Sequence, residues 1–337
     1  MKVGLVSFAH VHAAGYAAAL SAMPGIELLA ADPAHTERPP SELGGPTLAA
    51  QLGVDHVDTY DELYAWGPDA VVVCSENADH RADVLRAAAE GVHVLCEKPL
   101  ATSSADAAAM VAACEEAGVF LMVAYPVRFS PAFAAVVASS EAGDLGRVRA
   151  VSGTNNGRVP TSRAWFTDPA RSGGGAMTDH LVHIADLLDA LFHGQRVVSV
   201  YAAANEILHP DLGVETAGLV SLTYADGVTA VIDCSWSKPA HYPTWGGLTL
   251  NLVTDAGLVD VDPFVQRVDG FSESARSPLW LGYGTDLDQL LLAEFLGAVR
   301  SGVQPQPDGH VGHRTVKVVE AAYESLRRGQ RVDLDWS

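Results

Sequence analysis

Val92-His93-Val94-Leu95-Cys96-Glu97-Lys98-Pro99 is a short strand-like run that ends on an acid, a lysine and a proline. Read as a strand of a parallel sheet, it delivers Lys98 to the carboxyl end, where open α/β folds place their ligands. Lysine is scarce in this chain, with 17 Arg against four Lys (Lys2, Lys98, Lys238 and Lys317). A composition that avoids lysine yet sets one before a proline at a strand end suggests a task arginine cannot perform. That task is to share or surrender a proton, because an ammonium can have its pKa lowered and a guanidinium effectively cannot. The plainer reading is a loop lysine paired with Glu97.

Outward from this run the first 125 residues alternate strand and helix. Val3–Ser7, Ile26–Ala31, Ala70–Cys74, Val92–Cys96 and Val119–Ala124 read as strands. Between them Ala13–Met23, a short stretch near Leu48–Leu52, Tyr60–Trp66, Asp79–Glu90 and Ser103–Ala117 read as helices. Such alternation with unbroken apolar strands predicts an α/β fold, a Rossmann doubly wound parallel sheet over residues 1–125. Beyond Tyr125 the pattern changes. One strong helix over about Gly175–Phe192 precedes β-rich segments at 197–204, 217–224, 228–236, 248–254 and 258–261. Asp226-Gly227 and Gly246-Gly247 read as turns between them, so residues 126–337 are expected to form a mainly antiparallel open sheet with helices. Two helices, Asp286–Arg300 and Val311–Arg328, close the chain.

Composition narrows the possible roles. With 337 residues, 48% hydrophobic and 18% charged, the chain is globular and long enough for two domains. A formal net charge of −20 argues against nucleic acid or an anionic membrane as partner, since both need a basic footprint. Cys74, Cys96, Cys114 and Cys234 show no C-x-x-C spacing, a pattern of reduced thiols rather than a disulfide scaffold. The apolar N-terminus is interrupted by His10 and His12, which favours strand plus helix over a signal peptide. The expected compartment is the cytoplasm.

If the fold binds a dinucleotide, the first strand must run into a phosphate-binding turn. The three positions of G-x-G-x-x-G fall on Ser7, Ala9 and His12, and none is glycine. Asp32 compensates, because it ends the second strand where a carboxylate bonds the adenosine ribose hydroxyls and repels a 2′-phosphate. NAD is therefore expected over NADP, although Asp32-Pro33 is also a good turn opener. His10 and His12 suggest a metal pair but lack adjacent carboxylates, so no metal is expected.

Gly173-Gly174-Gly175 enters a helix carrying Asp179, His180, His183 and Asp186. Asp179 and His183 are four apart and share one face, and a histidine oriented by a carboxylate is a competent base near neutral pH. The same residues also read as helix-face polar groups, or with His180 as a metal site.

Asp32, Asn77-x-x-His80, Glu97-Lys98-Pro99 and Gly173-Gly174-Gly175-x-x-x-Asp179-x-x-x-His183 occur in that order. With Tyr60-Asp61-Glu62-Leu63, Arg128-Phe129-x-Pro131 and Glu320-Ala321-Ala322-Tyr323-Glu324-Ser325, the chain resembles the glucose–fructose oxidoreductase/inositol dehydrogenase/rhizopine catabolism (Gfo/Idh/MocA) family over nearly its full length. The resemblance implies NAD(P)-linked oxidation of a sugar or cyclitol carbinol, or the reverse, by a homodimer or homotetramer. By that analogy Lys98 hydrogen-bonds the reacting oxygen, His183 takes its proton and Asp179 orients. Ser7, Phe8, Ala9, His10, Asp32, Ser75, Asn77, His80, Glu97 and Lys98 would bind the cofactor. Arg128, Asn156, Trp165 and Trp236 are placed at the substrate by position only, and Trp236 reads equally as core. Two other readings stay open: a non-catalytic dinucleotide-binding regulator on the same scaffold, and a metal-dependent lyase or hydrolase centred on Asp179, His180 and His183.

Overall fold

The computed structural model describes residues 1–336, which form two compact units. The first comprises Met1–Pro126, Thr161–Gly173 and Asp288–Val316; the second comprises Val127–Pro160, Gly174–Leu287 and the residues from Lys317 on. A single cut after residue 125 therefore does not describe the packing, since 161–173 and 288–316 belong with the N-terminal unit.

In the first unit β1 (Lys2–Val6) leads to α1 (Ala13–Ala22), β2 (Glu27–Ala31), α2 (Gly45–Leu52) and β3 (Asp55–Val57). There follow α3 (Tyr60–Ala65), β4 (Ala70–Val73), α4 (His80–Ala89), β5 (His93–Cys96), α5 (Ser104–Ala117) and β6 (Leu121–Val123). The sheet order is β3-β2-β1-β4-β5-β6 with every pairing parallel. The order reverses between β1 and β4, and the crevice outside the carboxyl ends there is where such sheets bind ligands. Strand β4 shows why these residues form a central strand: all four side chains, Ala70 to Val73, are 0% exposed. Each valine so enclosed contributes about 1.5–3 kcal/mol. Helix α3 starts on a capping box, in which Thr59 Oγ1 accepts from the Glu62 amide and the Glu62 carboxylate accepts from the Thr59 amide.

In the second unit α6 (Pro131–Glu141) precedes β7 (Val148–Gly157). After α7 (Pro169–Ser172), which belongs to the first unit, come α8 (Ala176–Leu191), β8 (Val197–Asn205), β9 (Ala217–Tyr224) and β10 (Thr229–Ser235). Strands β11 (Gly246–Thr254), β12 (Gly257–Val261), β13 (Arg267–Ser272) and β14 (Ser277–Gly282) follow; of the closing elements, α9 (Leu287–Ser301) and the start of α10 (Gly309–Arg328) belong to the first unit, and the rest of α10 with β15 (Val332–Asp333) to the second. Seven strands order as β12-β11-β7-β10-β9-β8-β15, while β13 and β14 form a separate hairpin.

The sheet is mixed, because β7 runs parallel to β10. Strand β7 is central, yet its Ser152-Gly153-Thr154-Asn155-Asn156-Gly157 lacks the apolar alternation that marks a strand. Gly246-Gly247, expected as a turn, opens β11; a Cβ on Gly246 would lie 2.1 Å from the Asn156 carbonyl oxygen, so the close strand approach requires glycine. No helix among the described residues is long and apolar enough to cross a membrane.

Candidate active site

The turn after β1 is built without glycine. Ser7 adopts φ 70°, the left-handed region that glycine enters freely and other residues enter at a cost of about 1–2 kcal/mol. Its hydroxyl offsets that cost, donating to Asp32 Oδ1 at 3.0 Å and accepting from the Ala9 amide at 3.1 Å. Phe8 and Ala9 are buried, and Trp165 Nε1 donates to the Ala9 carbonyl at 3.0 Å. The turn's amides are committed inside the protein. That of Ala9 goes to Ser7, that of His10 to the Cys74 carbonyl (2.8 Å), and that of His12 to His10 Nδ1 (3.2 Å).

Across the sheet, at the end of β5, Glu97 is 0% exposed. Its Oε1 faces His12 Nδ1 at 2.9 Å and accepts from Tyr16 OH at 2.8 Å, while Oε2 accepts from the Lys98 amide at 3.1 Å. His10 Nδ1 stands 3.6 Å from the same Oε1. Burial alone would raise the Glu97 pKa, but His12 and Lys98 outweigh it and hold the group well below the usual carboxylate range. Burial drives His10 far down into its neutral form. For His12 burial also lowers the pKa, but Glu97 overrides it and the net shift is upward. The expectation that His10 and His12 lack a carboxylate is thus corrected: the fold brings Glu97 to them across 85 residues. These three residues offer ligand-type atoms within 4.8 Å of one another. Because Glu97 Oε1 is already taken by His12 and Tyr16, we read them as a charge cluster.

The remaining expected cofactor residues divide into two kinds. Asn77 is buried, its amide donating to the Ser172 carbonyl at 2.8 Å while its Oδ1 has no partner; Ser75 Oγ and His10 Nε2 are likewise buried without partners. These unmet polar atoms fit a nicotinamide carboxamide and ribose hydroxyls, which would satisfy them. His80 is different. Its ring lies between the Pro99 carbonyl (3.0 Å) and the Ser75 carbonyl (3.3 Å), so it ties the β4 turn to the Lys98-Pro99 turn. Asp32 is enclosed at 0% exposure, bonded by Ser7, by the Gly45 amide at 2.8 Å and by Arg38. Lys98 is buried at 4% exposure.

In the second unit α8 presents the acid–base candidates. Its N-terminus has no side-chain cap of its own, so Glu215 supplies one from a distant loop: Oε1 accepts from the Gly175 amide (3.0 Å), the Met177 amide (2.9 Å) and Tyr323 OH (2.7 Å). One turn in, Asp179 Oδ2 accepts from Trp236 Nε1 at 3.1 Å and stands 3.2 Å from His180 Nε2. His180 therefore orients the carboxylate, together with a tryptophan 57 residues away that sequence spacing does not reveal. His183 lies half-buried one turn further along α8.

The residues assigned to substrate by position are all already engaged within their own units. Arg128 grips Asp186 on α8, with Nη2 2.7 Å from Oδ1 and Nε 3.2 Å from Oδ2, which makes it a clamp on the helix. Trp236 is 0% exposed and packs with Ala176 and Val214, its ring in the core and its N–H on Asp179. Trp165 stacks on Phe166 with ring centroids 3.9 Å apart and belongs to the nucleotide turn. Asn156 remains half-buried on β7, donating to Ser235 Oγ at 2.6 Å.

Two family models together match most of the chain. Residues 3–125 match the model described as an oxidoreductase family NAD-binding Rossmann fold, and residues 133–259 match the GFO/IDH/MocA C-terminal domain. The chain is 31% identical over 287 residues to D-apiose dehydrogenase of Paraburkholderia graminis, covering 79% of this chain and 73% of that protein. It is 31% identical over 303 residues to D-xylose 1-dehydrogenase (NADP+) 2 of Haloferax volcanii, covering 87% and 90%. The crystal structure of GenD2 from gentamicin A biosynthesis in complex with NAD superposes with a TM-score of 0.86 at 25% identity, covering 99% of this chain and 96% of that one.

Proposed function

The chain belongs to the GFO/IDH/MocA oxidoreductase family, and from that premise we propose that it transfers hydride between NAD(P) and a CH–OH group of a sugar, sugar derivative or cyclitol. The observation that carries this reading is a lysine, 4% exposed, at the carboxyl end of β5 directly after a fully enclosed carboxylate. Dehydrogenases acting on D-apiose and D-xylose among the relatives support the substrate class.

Lys98 donates a hydrogen bond to the substrate oxygen, so that its ammonium stabilises negative charge as the hydroxyl becomes a carbonyl. His183 takes the hydroxyl proton as general base. Asp179, fixed by Trp236 and His180, holds a neighbouring hydroxyl and so aligns the carbinol. When bound, NAD+ supplies the hydride acceptor. Asn77 Oδ1, Ser75 Oγ and His10 Nε2 would bind it at the nicotinamide end, and Glu97 keeps the adjacent turn rigid through His12 and Tyr16.

The outer face of the seven-stranded sheet leaves Tyr201, Leu219, Val231 and Val253 exposed, and we assign it to a second copy of the chain in a homodimer or homotetramer. Light scattering of the purified protein at monomer mass would overturn that assignment.

A panel of pentoses, hexoses and cyclitols with NAD+, followed at 340 nm, tests the activity. At least one member should be oxidised, and Lys98→Ala should lose turnover on it. Full turnover by Lys98→Ala would remove this lysine from the chemistry.

A further inference from the structure

Asp32 ends β2, where a free carboxylate would read ribose hydroxyls and repel a phosphate on the 2′ oxygen. This carboxylate is not free. Oδ1 accepts from Ser7 Oγ at 3.0 Å and from the Arg38 guanidinium, and Oδ2 accepts from the Gly45 amide at 2.8 Å. Its charge is therefore matched by Arg38 before any ligand arrives. Gly44 makes the pairing possible: a Cβ there would lie 2.7 Å from both Arg38 Nη1 and Asp32 Oδ2. Only glycine lets the loop pass so close.

Arg38 also holds a donor in reserve. Its side chain is 5% exposed, and Nη1 is buried without a partner. A second guanidinium lies in electrostatic reach of the pair. Arg163 donates through Nη2 to the Phe8 carbonyl (3.3 Å) and the Leu43 carbonyl (3.4 Å), while its Nε is buried without a partner. The Glu42 carboxylate is 4.0 Å away. Unmet buried donors on cations are costly, and the group that would satisfy both guanidiniums is an anion with several acceptor oxygens. A phosphate monoester at the end of β2 has that chemistry and that address.

We propose that this protein binds NADP(H) at least as well as NAD(H), with Arg38 as the residue that admits the 2′-phosphate; the inference rests on the dinucleotide reading above. Asp32 then serves to hold Arg38 in place rather than to exclude the phosphate. The carboxylate on which the expected preference for NAD rests is paired with a residue six positions later.

Fluorescence titration of the full-length protein with NADH and NADPH tests this, in wild type and in Arg38→Ala. Wild type should bind NADPH no more weakly than NADH, and Arg38→Ala should lose about tenfold or more for NADPH with under about threefold change for NADH, one lost charge-assisted contact. NADPH binding weaker than NADH in wild type, or equal losses for both ligands in the variant, would overturn the proposal. Should Arg38→Ala fail to fold, displacement of NADH from wild type by 5′-AMP and by adenosine 2′,5′-bisphosphate decides instead. Stronger displacement by the bisphosphate supports the proposal, and equal or weaker displacement refutes it. Failure of both dinucleotides to bind would refute the dinucleotide reading itself, which a mere NADH preference would leave intact.

Discussion

Replacing Glu97 by glutamine should destabilise the first unit by an amount that depends on pH in a particular way. Glutamine keeps the volume but removes the charge that His12 Nδ1 meets at 2.9 Å, Tyr16 OH at 2.8 Å and the Lys98 amide at 3.1 Å. Breaking a buried ion pair from one side costs about 3–5 kcal/mol, and retained neutral bonds place Glu97→Gln near the lower figure. Two titrations shape the profile. Glu97 is held below its ordinary value, so its contribution is complete above the unfolded pKa of about 4.3 and fades as pH falls from there. His12 is raised above its ordinary value, so its share is complete below about 6.5 and fades as pH rises through the folded pKa. The stability gap between wild type and variant should be widest between those two values and narrow on both sides. Urea unfolding at a series of pH values, read by tryptophan fluorescence, measures it. A gap under about 1 kcal/mol at pH 6, or one that widens from pH 7 to 9, would refute the charge cluster as described.

Lys98→Ala should lower kcat by about 10²-fold while NADH binds within about threefold of wild type, which steady-state kinetics and titration separate. Glu215→Ala strips the Gly175 and Met177 amides and the Tyr323 hydroxyl of their common acceptor, and should cost about 2–4 kcal/mol in urea unfolding of the second unit. Trp236→Phe keeps most of the buried ring but removes the N–H on Asp179, so activity should fall more than stability, with the stability loss at about 1 kcal/mol. Ala at Gly175 would set a Cβ 2.1 Å from the Glu215 carbonyl oxygen, and the variant should show a lowered melting temperature.

The parallel sheet was legible because its strands are buried on both faces and so carry unbroken apolar runs such as Ala70–Val73. Strand β7 was not, because glycine and paired asparagines in its second half serve strand crossing and hydrogen bonds, as where Asn155 Nδ2 donates to the His180 carbonyl at 3.1 Å. Among the candidate residues, Lys98, Asp179 and His183 stood out by local spacing, whereas the long-range contacts around them did not. His12 reaches Glu97 across 85 residues, Trp236 reaches Asp179 across 57, and Arg128 reaches Asp186 across 58. No one-dimensional pattern encodes such pairs. His12 is instructive, since at a position where glycine would ease helix packing its ring turns instead to the end of β5. Arg38 was invisible for another reason: its loop carries no periodicity, and only the fold shows that it sits on Asp32.

Titration of the purified protein with reduced dinucleotide, followed by nicotinamide fluorescence, should show saturable binding at one site per chain, with a dissociation constant below ~1 mM. Absence of saturable binding for both NADH and NADPH would contradict a dinucleotide site in this protein.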